Sequence, residues 1–212
     1  MYTPRAFALD DLPEIQQLIQ HTRLAQLVTF GEQGLQASHL PLLLNPDEGP
    51  NGTLYGHLAK ANRQWQDLQD GSEALVIFAG AEAYISPGFY PAKAEHGKVV
   101  PTWNYIAVHA YGKAEVFTDA ERLLGVVSAL TDRHEDNRAQ PWKVSDAPAD
   151  YIDGMLKAIV GFSLPIERLI GKRKLSQNRS AADIAGVRDG LAASADIRDQ
   201  TLARFIPQGV SE

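Results

Sequence analysis

The sequence predicts an α+β fold, mainly β, in which antiparallel strands form a sheet or barrel with helices at its periphery. Two observations carry this. The β-type runs come as hairpins rather than alternating regularly with helices, which favours antiparallel pairing. No internal repeat, low-complexity tract or linker divides the 212 residues. The chain therefore reads as one domain over 1–212, long enough to bury a real core, with a helical extension at about 180–206.

Asp10 and Asp11, ahead of Leu12-Pro13-Glu14, place acids and a proline in the first turn of a helix. Leu12, Ile15, Leu18 and Ile19 form its buried stripe, and it should end near Thr22. Leu24 to Phe30 reads as a strand, Gly31 to Gly34 as a turn, and Leu35 to Leu44 as the returning strand. The stretch 45–52, rich in Pro, Gly and Asp, is a loop. Thr53 to Leu58 is a further strand, and Ala61 to Gln69 a short helix bearing Trp65. Leu75 to Ile85 and Val100 to Val116 are long β segments. Thr118 and Glu121 fit a capping box opening a helix lined by Leu123, Leu124, Val127 and Leu130. After a loop over 137–149, Tyr151, Ile152, Met155, Leu156 and Ile159 mark another helix face. Val160 to Ile170 predicts a last strand ending at Gly171. Ser180 to Phe205 is helical, broken near Gly190 and restarted at Ser194 or Asp196.

Lys and Arg number 20 against 26 Asp and Glu, a net charge of −6. Sequence-independent affinity for nucleic acid comes mostly from cations on phosphates, so this balance weighs against DNA binding, although a local patch would suffice. There is no cysteine. That excludes disulfides, thiolate metal sites and a cysteine nucleophile. A polar opening segment and no apolar run of spanning length give the expectation of a soluble, cytoplasmic protein without membrane association.

No Gly-x-Gly-x-x-Gly or Gly-Lys-Ser/Thr pattern supports a dinucleotide or P-loop site. The six histidines show no metal-binding spacing, so no metal is expected. No nucleophile elbow is present, and no catalytic residue is nominated.

The segment 79–111 is richer. Tyr84, Phe89, Tyr90, Trp103, Tyr105 and Tyr111 put rings with polar handles beside hydroxyls, an amide and prolines. Such chemistry suits a flat ring ligand, and it equally suits ordinary strands, where aromatic residues are common. Three shorter stretches add to it. Ser38-His39-Leu40 places polar groups in a row otherwise made of leucines. Gly56-His57 leads through Lys60 and Asn62 into a helix start, where backbone amides and an ammonium make an anion site. The alternative is a surface lysine. Residues 172–179 read as a loop in which four cations surround Ser, Gln and Asn. It fits a phosphate or a heterocycle edge, with Arg179 as a planar fork. It also fits a nucleic-acid contact or a solvated basic turn.

Together, Ala-Ser-His-Leu-Pro, Leu-Tyr-Gly-His-Leu-Ala-Lys-Ala-Asn, Ala-Tyr-Ile-Ser-Pro, Val-Pro-Thr-Trp-Asn-Tyr and Lys-Leu-Ser-Gln-Asn-Arg occur in one order. This set resembles the PaiB-like family of FMN-binding negative transcriptional regulators. The resemblance implies a split β-barrel, FMN as cofactor, and a homodimer with flavin sites at the subunit interface. Carried over by position, Ser38, His39 and Leu40 would lie along the flavin, and His57, Lys60 and Asn62 near its phosphate. Trp103, Asn104, Gln177, Asn178 and Arg179 would close the site. The paired Arg and Lys of related oxidases are replaced here by Ser-His-Leu-Pro.

The resemblance implies regulation of transcription through DNA or a protein partner. No helix-turn-helix is evident and the chain is acidic, so an indirect effect is expected. The second reading is a flavin-dependent oxidoreductase acting on a small molecule.

Overall fold

The computed structural model describes residues 1–208. In chain order the elements are β1 (Ala8–Leu9), α1 (Leu12–His21), β2 (Ala25–Gly31), β3 (Gly34–Leu40), β4 (Leu43–Asn45), β5 (Thr53–Ala59), α2 (Gln64–Gln69) and β6 (Glu73–Ile85). There follow α3 (Ala92–His96), β7 (Thr102–Lys113), β8 (Glu115–Phe117), α4 (Ala120–Glu135), α5 (Ala149–Leu156), β9 (Ile159–Pro165), β10 (Arg168–Lys174), α6 (Ala181–Ala192) and α7 (Ile197–Ala203). The pairings β1–β10, β2–β3, β2–β6, β4–β5, β5–β9 and β8–β9 are antiparallel, and the class is α+β, as the hairpin pattern predicts.

The chain divides into two compact units. The first comprises Met1–Asp11, Ala79–Val108 and Ile170–Glu212; the second comprises Leu12–Phe78 and His109–Leu169. The single-domain reading extended to residue 212, and its last four residues lie outside the described ones.

In the second unit β2 lies between β3 and β6, with Phe30 opposite Leu35 and Val28 opposite Ala37. A second sheet runs β4-β5-β9-β8. Phe117, Leu123, Val126, Leu130 and Leu156 form a buried cluster between α4, α5 and that sheet, with Tyr55 and Ile159 packed against it. In the first unit β1 pairs with β10, Ala8 facing Lys172. Its buried side chains include Ile85, Ile106, Leu175, Val187, Leu191 and Leu202.

Several expected boundaries move, each for a local reason. The single strand 35–44 is two, β3 and β4, in different sheets; Pro41 between them has no N–H to continue a ladder. The predicted last strand is also two, β9 and β10. Between them the N–H groups of Ile166 and Glu167 donate to the carbonyls of Gly52 and Tyr111, at 3.0 and 2.9 Å, so the chain leaves one ladder before joining another. A consequence is that Lys172 to Lys174 belong to a strand, not to a basic loop. The cap of α4 is Asp119, whose carboxylate accepts from Arg122 N–H at 2.9 Å, one residue beyond the predicted Thr118. The helix expected from Ala61 begins at Gln64 instead. Gly190 does not break the C-terminal helix. It sits within α6, where a side chain would collide with the Phe89 ring, just as one at Gly186 would strike the Phe89 carbonyl. These glycines serve close packing. The break falls at 193–196, and Asp196 caps α7.

Candidate functional site

The sequence-predicted site residues fall into two sets. Ser38, His39, Leu40, His57, Lys60 and Asn62 lie in the second unit; Trp103, Asn104, Gln177, Asn178 and Arg179 lie in the first.

In the second unit, the pleat of β3 sends successive side chains to opposite faces. Ser38 and buried Leu40 share one face, and exposed His39 takes the other. Asn62 then ties the end of β5 to β3: its Nδ2 donates to Ser38 Oγ at 2.9 Å. Its Oδ1 accepts the Gln64 N–H at 3.1 Å, closing a side-chain turn just ahead of α2. That local competition by an asparagine side chain explains the late helix start. The same turn is fixed by its backbone. Asn62 N–H donates to Ala59 O at 2.9 Å, Lys60 N–H to Ala158 O at 2.8 Å, and the Trp65 indole to Lys60 O at 3.0 Å. The backbone of Lys60 is thus held on both sides, while its side chain is exposed.

Behind this turn lies a polar network that the sequence reading missed. Gln64, 1% exposed, donates from Nε2 to Leu27 O at 3.1 Å and Gln36 O at 3.3 Å. Asp67 accepts from Thr29 Oγ1 at 2.7 Å and from Gln36 Nε2 at 3.5 Å. Gln64 Oε1 is buried without a partner. A cleft of about 450 Å³ opens beside these groups, lined by Glu32, Gln36, Arg63, Trp65, Asp67 and Asp70 among others. Polar residues on a short helix read as a solvent face, so periodicity gave no warning that Gln64 and Asp67 turn inward.

His57 is not joined to Ser38, Lys60 or Asn62 by any described contact. It lines a different cleft of about 310 Å³ with Pro41, Val127, Leu130, His134 and Trp142. Its Nδ1 is buried without a partner, and burial holds its imidazole below the usual range.

In the first unit the neighbours Trp103 and Asn104 are again split by the pleat. Trp103 is 54% exposed and meets Tyr84 edge-on at 6.0 Å. Asn104 is fully buried; its Nδ2 donates to Ser176 Oγ at 2.9 Å, and its Oδ1 has no partner. Ser176 carries φ of 65°, a left-handed conformation uncommon outside glycine. Gln177 spends its amide on that turn, accepting from Leu175 N–H at 2.6 Å and donating to Arg173 O at 2.5 Å. Asn178 is exposed, and the Arg179 guanidinium lies 5.1 Å from the Tyr90 ring. Among the described residues no cluster of metal-binding side chains occurs, and no helix is long and apolar enough to cross a membrane.

A family model described as "Putative FMN-binding domain" matches residues 1–168. The Bacillus subtilis "Protease synthase and sporulation protein PAI 2" is 33% identical over 187 residues, covering 88% of this chain and 87% of its own. A protein of Aspergillus fumigatus is 36% identical over an alignment of 235 residues, covering 90% of each. Among solved structures, the FAD and heme binding protein of Mycobacterium smegmatis has a TM-score of 0.57 at 16% identity, over 87% of this chain and 78% of its own. That likeness concerns the fold alone, the split barrel anticipated from the sequence motifs.

Proposed function

The chain belongs to the PaiB-like family of FMN-binding domains, and from that premise we propose that it binds FMN and acts on transcription indirectly. The observation that supports this most is the turn over residues 59–62. Two backbone–backbone hydrogen bonds, the Trp65 indole on the Lys60 carbonyl and the Asn62–Ser38 contact hold it, and it presents an exposed ammonium at Lys60. A rigid turn with an unspent cation fits a phosphate, because little ordering entropy remains to be lost on binding. Ser38, Leu40, Lys60 and Asn62 are the flavin contacts proposed there, with His39 on the opposite face of β3 and His57 in the neighbouring cleft as weaker members. Trp103, with its exposed ring, and Arg179 are further contacts proposed within a homodimer, where Asn104, Gln177 and Asn178 shape the supporting turn. Bound FMN would supply a redox centre; the residues named here would hold and orient it.

The homodimer is supported by the outer face of β3, which ends its sheet. Phe30 and Leu35 pair across the strands there, 66% and 76% exposed. Adjacent exposed apolar residues across an edge strand and its neighbour are a liability that a two-fold partner removes.

Titration of apo-protein with FMN and with riboflavin, followed by flavin fluorescence, tests the reading. FMN should bind more tightly than riboflavin. Equal affinity for both would remove the phosphate from the site. Bleaching of the bound flavin by NAD(P)H, with recovery in air, would transfer the protein to the oxidoreductase class.

A further inference from the structure

Placing residues 172–174 in a strand rather than a loop changes what they can do. Lys172 and Lys174 are two residues apart on β10 and share a face, with Arg173 on the other. Lys172 is only 7% exposed. Its ammonium donates to Tyr2 O at 3.0 Å and lies 4.9 Å from the Tyr105 ring. Lys174 donates to Thr102 Oγ1 at 2.5 Å. Neither ammonium has a carboxylate partner among the described residues, although acids outnumber cations in the chain. Burying an uncompensated cation is costly, and a carbonyl and a hydroxyl neutralise no charge. Burial, together with the nearby charges of Lys172 and Arg179, pushes Lys174 below the usual lysine range, against the opposing effect of Tyr105. Lys172 and Arg179 thus each oppose the charge on Lys174. The Thr102 hydroxyl accepts from Lys174 and keeps its own proton to donate.

We propose that Lys172, Lys174 and Arg179, with the Thr102 hydroxyl, form an anion site in the first unit that takes a phosphate dianion. A dianion would supply the countercharge that Lys172 and Lys174 lack, and a group with several acceptor oxygens could engage several donors at once. The phosphate can come from FMN itself or from a second phosphorylated small molecule. The site does not rest on the flavin reading, since inorganic phosphate probes it directly.

The experiment titrates the full chain with inorganic phosphate against sodium chloride of matched ionic strength, reading thermal stability and ³¹P line broadening. Saturable binding is expected, weakened about tenfold or more in Lys174→Met and in Arg179→Gln, and kept in Lys60→Ala. Without phosphate, Lys174→Met should melt no lower than wild type, because a repelling charge has gone. Arg179→Gln, at a partly exposed position, decides the matter should Lys174→Met fold poorly. Adding FMN to the phosphate-bound protein identifies the source. Displacement names the flavin phosphate and moves it from Lys60 to this site, persistence names a separate molecule, and either result upholds the site. No effect of phosphate beyond that of chloride, or undiminished binding in both variants, overturns it. Failure of FMN to bind would leave the phosphate titration readable and would count against the flavin proposal alone.

Discussion

Lys60 and Asn62 divide the work of one turn. Asn62 fixes its geometry through Ser38 and Gln64, and Lys60 is left exposed, where we propose it meets the FMN phosphate. A charge-assisted contact is worth roughly 1.5–3 kcal/mol, so Lys60→Ala should weaken FMN by about one to two decades and leave riboflavin unchanged. Flavin fluorescence titration decides this; an unchanged FMN affinity would take Lys60 out of the site. A second residue-level expectation concerns acid. Burial holds His57 and His109 below the usual imidazole range. In acid the unfolded chain, with imidazoles titrating near about 6.5, therefore binds more protons than the folded chain. The stability at stake is fully present above about pH 6.5 and is lost as pH falls below it. Urea midpoints measured through that window should fall less steeply in His57→Gln than in wild type; parallel curves would show that His57 is not buried as described. The turn at 59–62 was legible in the sequence because glycine, asparagine and lysine each leave a local signature. The partition of Ser38 from His39, and of Trp103 from Asn104, was legible only once strand register was known. The inward polar pair Gln64 and Asp67 left no trace at all, since amphipathic patterning treats polarity as exposure.

At the level of elements, most strands and helices were readable from periodicity; the short β1 and α3 were not, nor were the interruptions, such as the one that divides the expected segment 100–116 into β7 and β8 of different sheets. A continuous apolar run such as 160–170 gives no sign of where a chain changes ladders. That is set by which carbonyls, here those of Gly52 and Tyr111, wait opposite. Gly190 misled for the converse reason: a glycine kept for close approach to Phe89 looks, in sequence, like one kept for a turn. The corrected cap of α4 can be checked directly. Asp119→Ala should cost about 1 kcal/mol, within the range of roughly 0.5–2 for N-cap losses, while Thr118→Ala should change stability by only a few tenths. Chemical denaturation of both variants reads this. A larger loss in Thr118→Ala would restore the capping box predicted from the sequence.

For the whole molecule, charge and assembly set the expectations. Six excess negative charges oppose approach to a polyanion. Lys172 is only 7% exposed, so the cations at 172–179 suit a small anion and present no broad cationic face to a duplex, and specific DNA binding by the isolated chain should be weak at physiological salt. Anisotropy with random competitor DNA tests this, and nanomolar binding to one promoter would contradict it. Light scattering at micromolar concentration should find a dimer, and a monomer would leave the Phe30–Leu35 face unexplained. The central claim is that the flavin held by this chain is FMN. Its most direct test is one visible spectrum of the concentrated protein after incubation with excess FMN and removal of unbound ligand, with the retained chromophore released and identified. The prediction is an oxidised-flavin spectrum, stoichiometric with the chain, from which only FMN is recovered. A protein that retains no flavin, or one whose spectrum shows a haem band or whose released cofactor is FAD, would contradict the claim.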